Sequence, residues 1–436
     1  MELTLPGFTH DVCSAIHPLA VFSPFFRTLP LTEHGLAWRF PPVSVAHPLA
    51  DGRSVFVYPE LEKTIGMLGQ DGGAYRRLFK PLVAHWDRLT HDLLGPIRIP
   101  AHPFQLAKFG VPALFSAAGL ARAMFKDQLS QALFAGMAGH AMLPLDSFAS
   151  ASFGLVLTLS AHAVGWPLAV GGSQRIIDAL ASYYISLGGK IETGWQVDSL
   201  KELPPADAVL LDVSPRQLLH MAGDALPNFY RSQLQRYRYG PGVFKVDWAL
   251  DGPVPWRDKR FLETATVHLG GTLAEIARSE KAVSQGEVSD RPYVLLAQPS
   301  LFDERRAPAG KHTLWAYCHV PSGSDINMRD AIESQIERFA PGFRDRILAF
   351  HTINAQEFER YNPNYIGGDI NAGVQDIGQF FMRPVLRWDP YSTPLKGVYL
   401  CSASTPPGGG VHGMCGYHAA RSALRKSFGI RLEKIT

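Results

Sequence analysis

Residues 396–424 read KGVYLCSASTPPGGGVHGMCGYHAARSAL, and this stretch decides the fold. The apolar run 398–401 predicts a strand, the Pro- and Gly-rich segment 402–410 predicts a loop, and the remainder predicts a helix. A strand that leads through a glycine-rich loop into a helix brings bare backbone and a positive helix end up to an anionic or electron-rich group. The stretch therefore predicts an α/β protein with a ligand site at this loop.

Five glycines lie within the nine residues 408–416. Glycine here is expected where a ligand approaches the backbone closely or where φ is positive, and a surface turn is the alternative. Gly408, Gly410 and Gly413 also match G-x-G-x-x-G. We do not interpret them as a dinucleotide fingerprint, because six residues separate the strand from Gly408 and too few residues follow to close a βαβ unit.

The segment 397–420 resembles the C-terminal flavin-contacting motif of the phytoene-dehydrogenase-like flavoproteins, which include carotenoid desaturases and pyridine-nucleotide-disulphide-oxidoreductase-domain proteins. Other stretches resemble the same family in the same order, and together they cover nearly the whole chain. They are LPGFTHDVCSAIHP (5–18), GWPLAVGGSQRIIDAL (165–180), GPGVFKVDWALDGPVPW (240–256) and NPNYIGGDINAG (362–373).

The resemblance implies a Rossmann-like FAD/NAD(P)-binding domain and a substrate domain of mixed β-sheet and helices. Members of the family begin with a G-x-G-x-x-G unit that binds the FAD pyrophosphate. This sequence begins beyond that position, so we expect an incomplete Rossmann-like domain without its first βαβ unit. The expected FAD-binding-like domain comprises residues 1–45, 166–222 and 385–436, and the expected substrate domain comprises residues 46–165 and 223–384.

The resemblance also implies where FAD would bind. Val197 would lie beside the adenine, and residues 10–17 would run along the flavin, although solvated loop histidines are the alternative for that segment. A flavin that accepts a hydride gains negative charge, which the backbone amides of residues 410–414 would stabilise. No catalytic side chain is identified. The implied cofactor-binding residues are Val197, Ser404, Gly408, Gly409, Gly410, Val411, His412, Gly413 and Met414.

Composition sets the remaining limits. The chain has 436 residues, of which 46% are hydrophobic and 19% are charged, and a net charge of +3. These values suit a two-domain globular protein and show no nucleic-acid-binding footprint. The four scattered cysteines suggest no disulphide framework, and residues 1–20 show no signal peptide, so a cytoplasmic location is expected. Homo-oligomerisation is left open.

Residues 103–165 carry few charges, and the run 148–166 reaches the minimum length of a membrane span. Serine, threonine and histidine dilute its apolarity, so we expect helices that are buried or that wall an apolar cavity for a hydrophobic substrate. Peripheral membrane contact is the alternative.

Local patterns predict the other elements. Residues 61–94 should form two amphipathic helices broken at residues 71–73, and residues 325–339 should form another helix. Strands are predicted at 36–40, 54–58, 190–197 and 208–213. A mixed or antiparallel sheet beneath the substrate cavity is predicted from 243–250, 264–269, 293–298 and 312–320.

The sequence lacks the motifs of α/β-hydrolases, P-loop NTPases and zincins. His412, Cys415 and His418 have a spacing compatible with metal ligation, but a structural zinc site usually needs a fourth ligand, and no metal is expected. The resemblance favours an FAD-dependent oxidoreductase that dehydrogenates a hydrophobic substrate by hydride transfer to flavin. The alternative is a flavin-free or partner-completed relative that acts as a binding or assembly protein.

Overall fold

The computed structural model describes residues 1–432. Helices and strands are interspersed along these residues, as expected for an α/β protein. The helices are α1 (Pro18–Phe22), α2 (Leu61–Met67), α3 (Gly72–Val83), α4 (Trp86–Leu93), α5 (Pro103–Ala113), α6 (Ala117–Met124), α7 (Gln128–Gly139), α8 (Ala151–Ala163), α9 (Gln174–Ser186), α10 (Pro215–Ala222), α11 (Asn228–Gln235), α12 (Leu273–Ser284), α13 (Arg329–Phe339), α14 (Ala355–Tyr361), α15 (Ile377–Phe380) and α16 (Met414–Ser427).

The strands form three sheets within the described residues. One pair is antiparallel (β1 with β4), one pair is parallel (β5 with β11), and the remaining strands form a seven-stranded sheet of order β10-β6-β9-β8-β7-β2-β3. The strands are β1 (Trp38–Arg39), β2 (Val45–Pro48), β3 (Ser54–Val57), β4 (Leu168–Ala169), β5 (Val209–Leu211), β6 (Gly242–Leu250), β7 (Thr266–Leu269), β8 (Val294–Ala297), β9 (His312–Val320), β10 (Ile347–Ile353) and β11 (Val398–Leu400).

The seven-stranded sheet is mixed, because β2 and β7 are parallel whereas all other pairs of neighbouring strands in the sheet are antiparallel. Side chains alternate between the two faces of a strand. In β6, Phe244, Val246 and Trp248 belong to the apolar core that includes residues of α13. Val243 and Lys245 lie on the opposite face, where they line a large cavity. The predicted mixed sheet beneath a cavity is therefore confirmed.

Helices α3, α7 and α8 share a second core with strands β2 and β3. Helix α7 fits closely because it is rich in alanine and glycine. A Cβ built on Gly139 would lie 2.5 Å from the ring of Tyr293, so only glycine allows this approach. The result is a dense helical layer between the sheet and α5, and this layer fixes the helical wall of the cavity.

Two predicted elements differ from the structure. The strand predicted at 190–197 is wrong: the segment is irregular and mostly exposed, and it has no neighbouring strand with which to exchange hydrogen bonds. Residues 61–94 form three helices instead of two, because Gly72 begins α3 instead of only breaking the pattern, and a further break separates α3 from α4. The strand–loop–helix order predicted for residues 396–424 is confirmed by β11 and α16.

No single helix in residues 1–432 is both long and apolar enough to cross a membrane. Helices α5 and α6 meet the length and composition criteria only when taken together, and the chain bends by 95° between them. The run 148–166 contains the shorter helix α8, whose Leu155 and Leu159 are fully buried in the helical layer. The prediction that this run is buried or walls a cavity is thus confirmed.

Candidate functional site

A cavity of about 930 Å³ is lined by several parts of the chain. They include the seven-stranded sheet, helices α5 and α8, the segment 12–19, the loop between β11 and α16, and residues of the segments 92–100 and 358–381. Its size falls within the range of small-molecule and cofactor sites. The helical wall is apolar and includes Leu106, Phe109, Phe153, Val156 and Leu157.

The loop after β11 presents backbone to this cavity. Gly409, Gly410, Val411 and His412, which we call the glycine ribbon, line it together with Ser404. Gly410 has φ +134°, a conformation that residues with a side chain rarely adopt. A Cβ there would also lie 3.0 Å from Leu19 on the opposite wall. The ribbon therefore needs glycine both for its conformation and for its approach to that wall.

The other predicted residues of this stretch lie behind the ribbon. A Cβ on Gly408 would lie 2.6 Å from Arg383, and one on Gly413, whose φ is +65°, would lie 2.4 Å from Phe26. Met414 is buried. None of these three residues lines the cavity, so within the described structure they support the turn and its packing. Their contact with a cofactor stays a prediction.

Val197 lies in the irregular segment 190–197 and does not line the cavity. It is half-buried, whereas Trp195 beside it is largely exposed. A backbone contact from Val197 to adenine would need a neighbouring surface that residues 1–432 do not supply. The adenine contact also stays a prediction.

The backbone amides of the ribbon are not all available to a ligand. The N–H of His412 donates to the Gly410 carbonyl at 3.0 Å, and the N–H of Met414 donates to His412 Nδ1 at 3.0 Å. The hydrogen bonds of residues 1–432 do not use the N–H groups of Gly410 and Val411. Of the predicted amides over 410–414, those of His412 and Met414 are therefore occupied within the protein, and the contact of the others with a flavin stays a prediction.

His412 is a buried, neutral residue. Burial lowers the pKa of its imidazole to about 4. Its Nδ1 accepts the Met414 N–H, which fixes the ring against the first turn of α16. At neutral pH the side chain therefore carries no charge and shapes the ribbon through this hydrogen bond.

The segment 12–19 forms the wall that faces the ribbon. The alternative of solvated loop histidines is wrong, because His10 and His17 are both buried. His17 Nε2 lies 2.9 Å from the Ser173 hydroxyl, and burial lowers the pKa of His17 to about 4. The segment is therefore an ordered part of the site.

A buried ionic network holds this wall in place. Arg306 pairs with Asp11 at 2.9 Å and with Asp303 at 3.3 Å. The same carboxylates accept N–H groups at the start of α9: Ser173 donates to Asp11 at 2.8 Å, and Gly171 donates to Asp303 at 2.6 Å. Because the carboxylates are both paired and hydrogen-bonded, the network can stay buried.

The sheet contributes charged and polar groups that sequence reasoning did not select. Lys245 lines the cavity and pairs with Asp247, and both side chains are almost fully buried. Burial raises the pKa of Asp247. His10 Nδ1 lies 3.6 Å from the same carboxylate. The available signal was the charged pair within the otherwise apolar strand GVFKVDWAL, residues 242–250.

A further buried group lies beneath the cavity. His140 lines it, and His140 Nε2 lies 2.9 Å from His268 Nε2, with His47 also buried nearby against Gly136. Burial lowers the pKa of His140 to about 3 and that of His47 to about 4. These rings are neutral at pH 7 and form part of the packed floor.

The spacing of His412, Cys415 and His418 is compatible with metal ligation, but in residues 1–432 their ligand atoms do not form a metal-binding group. Cys415 Sγ donates to the carbonyls of Thr405 and Gly408, and His418 Nε2 lies 3.1 Å from the Leu94 carbonyl. In residues 1–432 the group with metal-ligand spacing is instead His91, Asp92 and His102. The Arg98 guanidinium lies 3.2 Å from His91 Nδ1, so a positively charged side chain already lies against this cluster.

The residues fit a flavin ring better than a complete FAD. The cavity, the glycine ribbon and the unused N–H groups of Gly410 and Val411 suit a flat, electron-accepting ring. For the pyrophosphate, the described residues provide β5 and β11 as a parallel pair, without a G-x-G-x-x-G turn next to either strand. The fit therefore concerns the ring end of the cofactor.

Sequence comparison finds two informative relatives, while no family model matches the chain. Pyridine nucleotide-disulfide oxidoreductase domain-containing protein 2 of Rattus norvegicus is 32% identical over 152 residues, which are 32% of this chain and 26% of the relative. Phytoene desaturase (neurosporene-forming) of Rhodobacter capsulatus is 23% identical over 300 residues, 62% of this chain and 56% of the relative. The matches thus span between about a quarter and about half of these relatives.

Structure comparison supports the predicted fold. An oxidoreductase from Methanosarcina mazei matches 96% of this chain and 90% of its own, with a TM-score of 0.61 at 15% sequence identity. The predicted α/β class is confirmed, since a solved structure of this fold covers almost the whole chain. The resemblance drawn from the motifs is confirmed as well, since the sequence matches both a pyridine nucleotide-disulfide oxidoreductase domain-containing protein and a phytoene desaturase.

Proposed function

We propose that the protein is an FAD-dependent oxidoreductase that dehydrogenates a hydrophobic substrate. The observation that carries this proposal is the glycine ribbon, which faces a large apolar cavity across from an ordered wall. The oxidoreductase names of the sequence relatives support the reaction class. Because the matches span only part of those relatives, their activities enter here as support for a proposal.

The chain's own groups would bind and orient the reactants. When bound, the flavin would supply the hydride acceptor. The N–H groups of Gly410 and Val411, which no protein group in residues 1–432 accepts, would donate to the negative charge of a reduced ring bound at this loop, because fixed donors stabilise such charge without reorganising. His412 is neutral, so its side chain adds no positive charge at this position. The network of Arg306 keeps the facing wall at a fixed separation.

The helical wall supports a hydrophobic substrate. Ser152, a polar residue on this wall, donates its hydroxyl to the Ala149 carbonyl at 2.7 Å and so offers the cavity little polarity. Leu106, Phe109 and Phe153 present carbon surface. Burying a substrate's apolar surface against this wall contributes roughly 25 cal/mol per Å².

Helix α5 also supports contact with a bilayer as part of the proposal. Its inner face lines the cavity, whereas Phe104 is 81% exposed and Val111 is exposed on the outer face. Ile97 and Ile99, just before the helix, are exposed as well. An apolar patch beside the mouth of an apolar cavity suits a cytoplasmic protein that takes its substrate from a membrane surface.

A purified sample tests the flavin. The expected result is a yellow protein, or one that becomes yellow with added FAD, with absorbance near 450 nm, roughly where flavins absorb. A protein that stays colourless with saturating FAD contradicts the proposal. It would favour the flavin-free or partner-completed relative, for which the specific observation is the unpaired segment 190–197 beside a two-stranded sheet. Adding the partner and repeating the titration separates those two alternatives.

A further inference from the structure

The cavity floor carries hydrogen-bond donors that no protein group accepts. Strands β6, β9, β8 and β7 run side by side, and their register places Asp247 opposite Trp315, Trp315 opposite Ala297, and Ala297 opposite Thr266. Lys245 is two residues from Asp247 on the same face. Lys245, Trp315, Ala297 and Thr266 all line the cavity.

The polar atoms of two of these side chains have no hydrogen-bond partner in the described structure. Trp315 is 8% exposed and Thr266 is 5% exposed, yet neither Trp315 Nε1 nor Thr266 Oγ1 has a hydrogen-bond partner. A buried polar atom without a partner costs about 1–3 kcal/mol. Because an indole N–H can only donate, the missing partner of Trp315 is an acceptor.

Lys245 adds positive charge to the same surface. Its ammonium has three donors, and one of them is used by Asp247. Lys245 Nζ lies 5.6 Å from the centroid of the Trp315 ring. The ammonium and the indole are therefore neighbours on one cavity wall. Ala297 lies between Trp315 and Thr266 in the register of the sheet and also lines the cavity.

These groups select a ligand by its chemistry. We propose that the cavity takes an apolar chain that ends in an oxygen acceptor, a carbonyl or a carboxylate, which binds at Lys245, Trp315 and Thr266. The inference rests on the proposed function and names the substrate class of the same site. The apolar remainder of the molecule would lie against α5 and α8. An ammonium end is disfavoured, because it would meet the Lys245 charge and the Trp315 N–H, which can only donate.

Isothermal titration with matched ten-carbon probes tests the proposal. Decanoate and 2-decanone carry acceptors, whereas decylammonium carries a cation on a chain of the same length. We expect decanoate, 2-decanone or both to bind at least about tenfold more tightly than decylammonium, equivalent to about one lost hydrogen bond to a charged group. Tight binding of decanoate alone assigns a carboxylate, tight binding of 2-decanone alone assigns a carbonyl, and tight binding of both means that either acceptor satisfies the site. Equal binding of all three probes would overturn the proposal.

Variants that remove single donors locate the site. Trp315→Phe and Thr266→Val each delete a donor without a protein partner, so both should fold normally and each should weaken decanoate binding about fivefold. Thr313→Val is the matched control, because Thr313 Oγ1 is also buried without a partner but does not line the cavity. Lys245→Met provides the charge test. Unchanged affinity in the two donor variants would overturn the proposal even if decanoate binds.

A negative result in the binding assay can be distinguished from a negative result in the flavin assay. Titrations are run with and without FAD, while flavin binding is followed by its absorbance. Loss of flavin absorbance with intact, Trp315-dependent decanoate binding contradicts the oxidoreductase proposal and keeps the acceptor site. Intact flavin absorbance with no preference for acceptor-ended probes overturns the acceptor site alone.

Discussion

Gly410→Ala tests whether the ribbon binds a flavin. Gly410 has φ +134°, and an added Cβ would lie 3.0 Å from both Leu19 and His412. The backbone conformation alone costs a residue with a side chain about 1–3 kcal/mol. Relief of that strain would move the ribbon towards the facing wall or away from the cofactor. We expect unfolding free energy to fall by about 1–3 kcal/mol and FAD affinity to fall at least about tenfold.

Gly416→Ala is the matched control in the same stretch. Gly416 lies in the first turn of α16, and nothing is within 4 Å of its added Cβ. Alanine there should stabilise the helix by about 0.5–1 kcal/mol and leave FAD affinity unchanged. Thermal unfolding and a flavin fluorescence titration measure the two quantities. If Gly410→Ala binds FAD as tightly as the unmodified protein, the ribbon does not lie against the ring and the reasoning fails.

Three further predictions concern stability and membrane contact. Arg306→Met should cost about 3–5 kcal/mol in chemical denaturation, because it leaves the buried Asp11 carboxylate without a cation and removes one of the two arginines that pair with Asp303. Arg305→Met, at a half-exposed position, should cost less than about 1 kcal/mol, and equal costs would contradict the network. Phe104→Ser should reduce co-flotation with anionic liposomes severalfold. Phe229→Ser, at an equally exposed site on α11, should leave co-flotation unchanged. Similar losses of co-flotation in the two variants would refute a membrane-contacting patch at the cavity mouth. Burial holds the pKa of several histidines at about 3–4 in the folded state, below the unfolded value of 6.5. Their contribution to stability is therefore present above pH 6.5 and is lost as pH falls towards 4. A urea midpoint that stays constant from pH 7 to pH 4.5 would contradict this prediction. These histidines are His10, His17, His47, His140, His162, His412 and His418.

The parts of the fold that the sequence predicted have strong local signals. Strands β6 and β9 each extend over nine residues with apolar alternation, and the stretch from β11 to α16 combines an apolar run, clustered glycines and helical spacing. The segment 190–197 has a strand-like composition but lacks a neighbouring strand in the described residues. A strand is stable only when its backbone groups are paired, and pairing is not encoded in the segment itself.

The site depends on contacts that are distant in sequence, and these could not be predicted. Arg306 joins Asp11 across about two thirds of the chain, and Trp315 becomes a cavity residue only through its register with β6 and β8. The ribbon residues were predictable because a resemblance carried them. Even there, the division between Gly410, which faces the cavity, and Gly413, which packs on Phe26, depends on local φ and on neighbours from other segments.

The ribbon, the sheet floor and the helical wall offer different groups to a ligand, and this difference favours one orientation of an acceptor-ended chain. The ribbon wall offers backbone N–H groups, the sheet floor offers side-chain donors at Lys245, Trp315 and Thr266, and the helical wall offers carbon surface. A substrate with one acceptor end can satisfy the floor only if its chain extends along the helices, because reversing it would place the acceptor against carbon and leave the buried donors unpaired. The orientation would thus be fixed by the cost of the wrong arrangement. Trp315→Phe combined with Thr266→Val should therefore weaken binding and also relax that orientation, giving mixed products wherever both ends of a substrate can react.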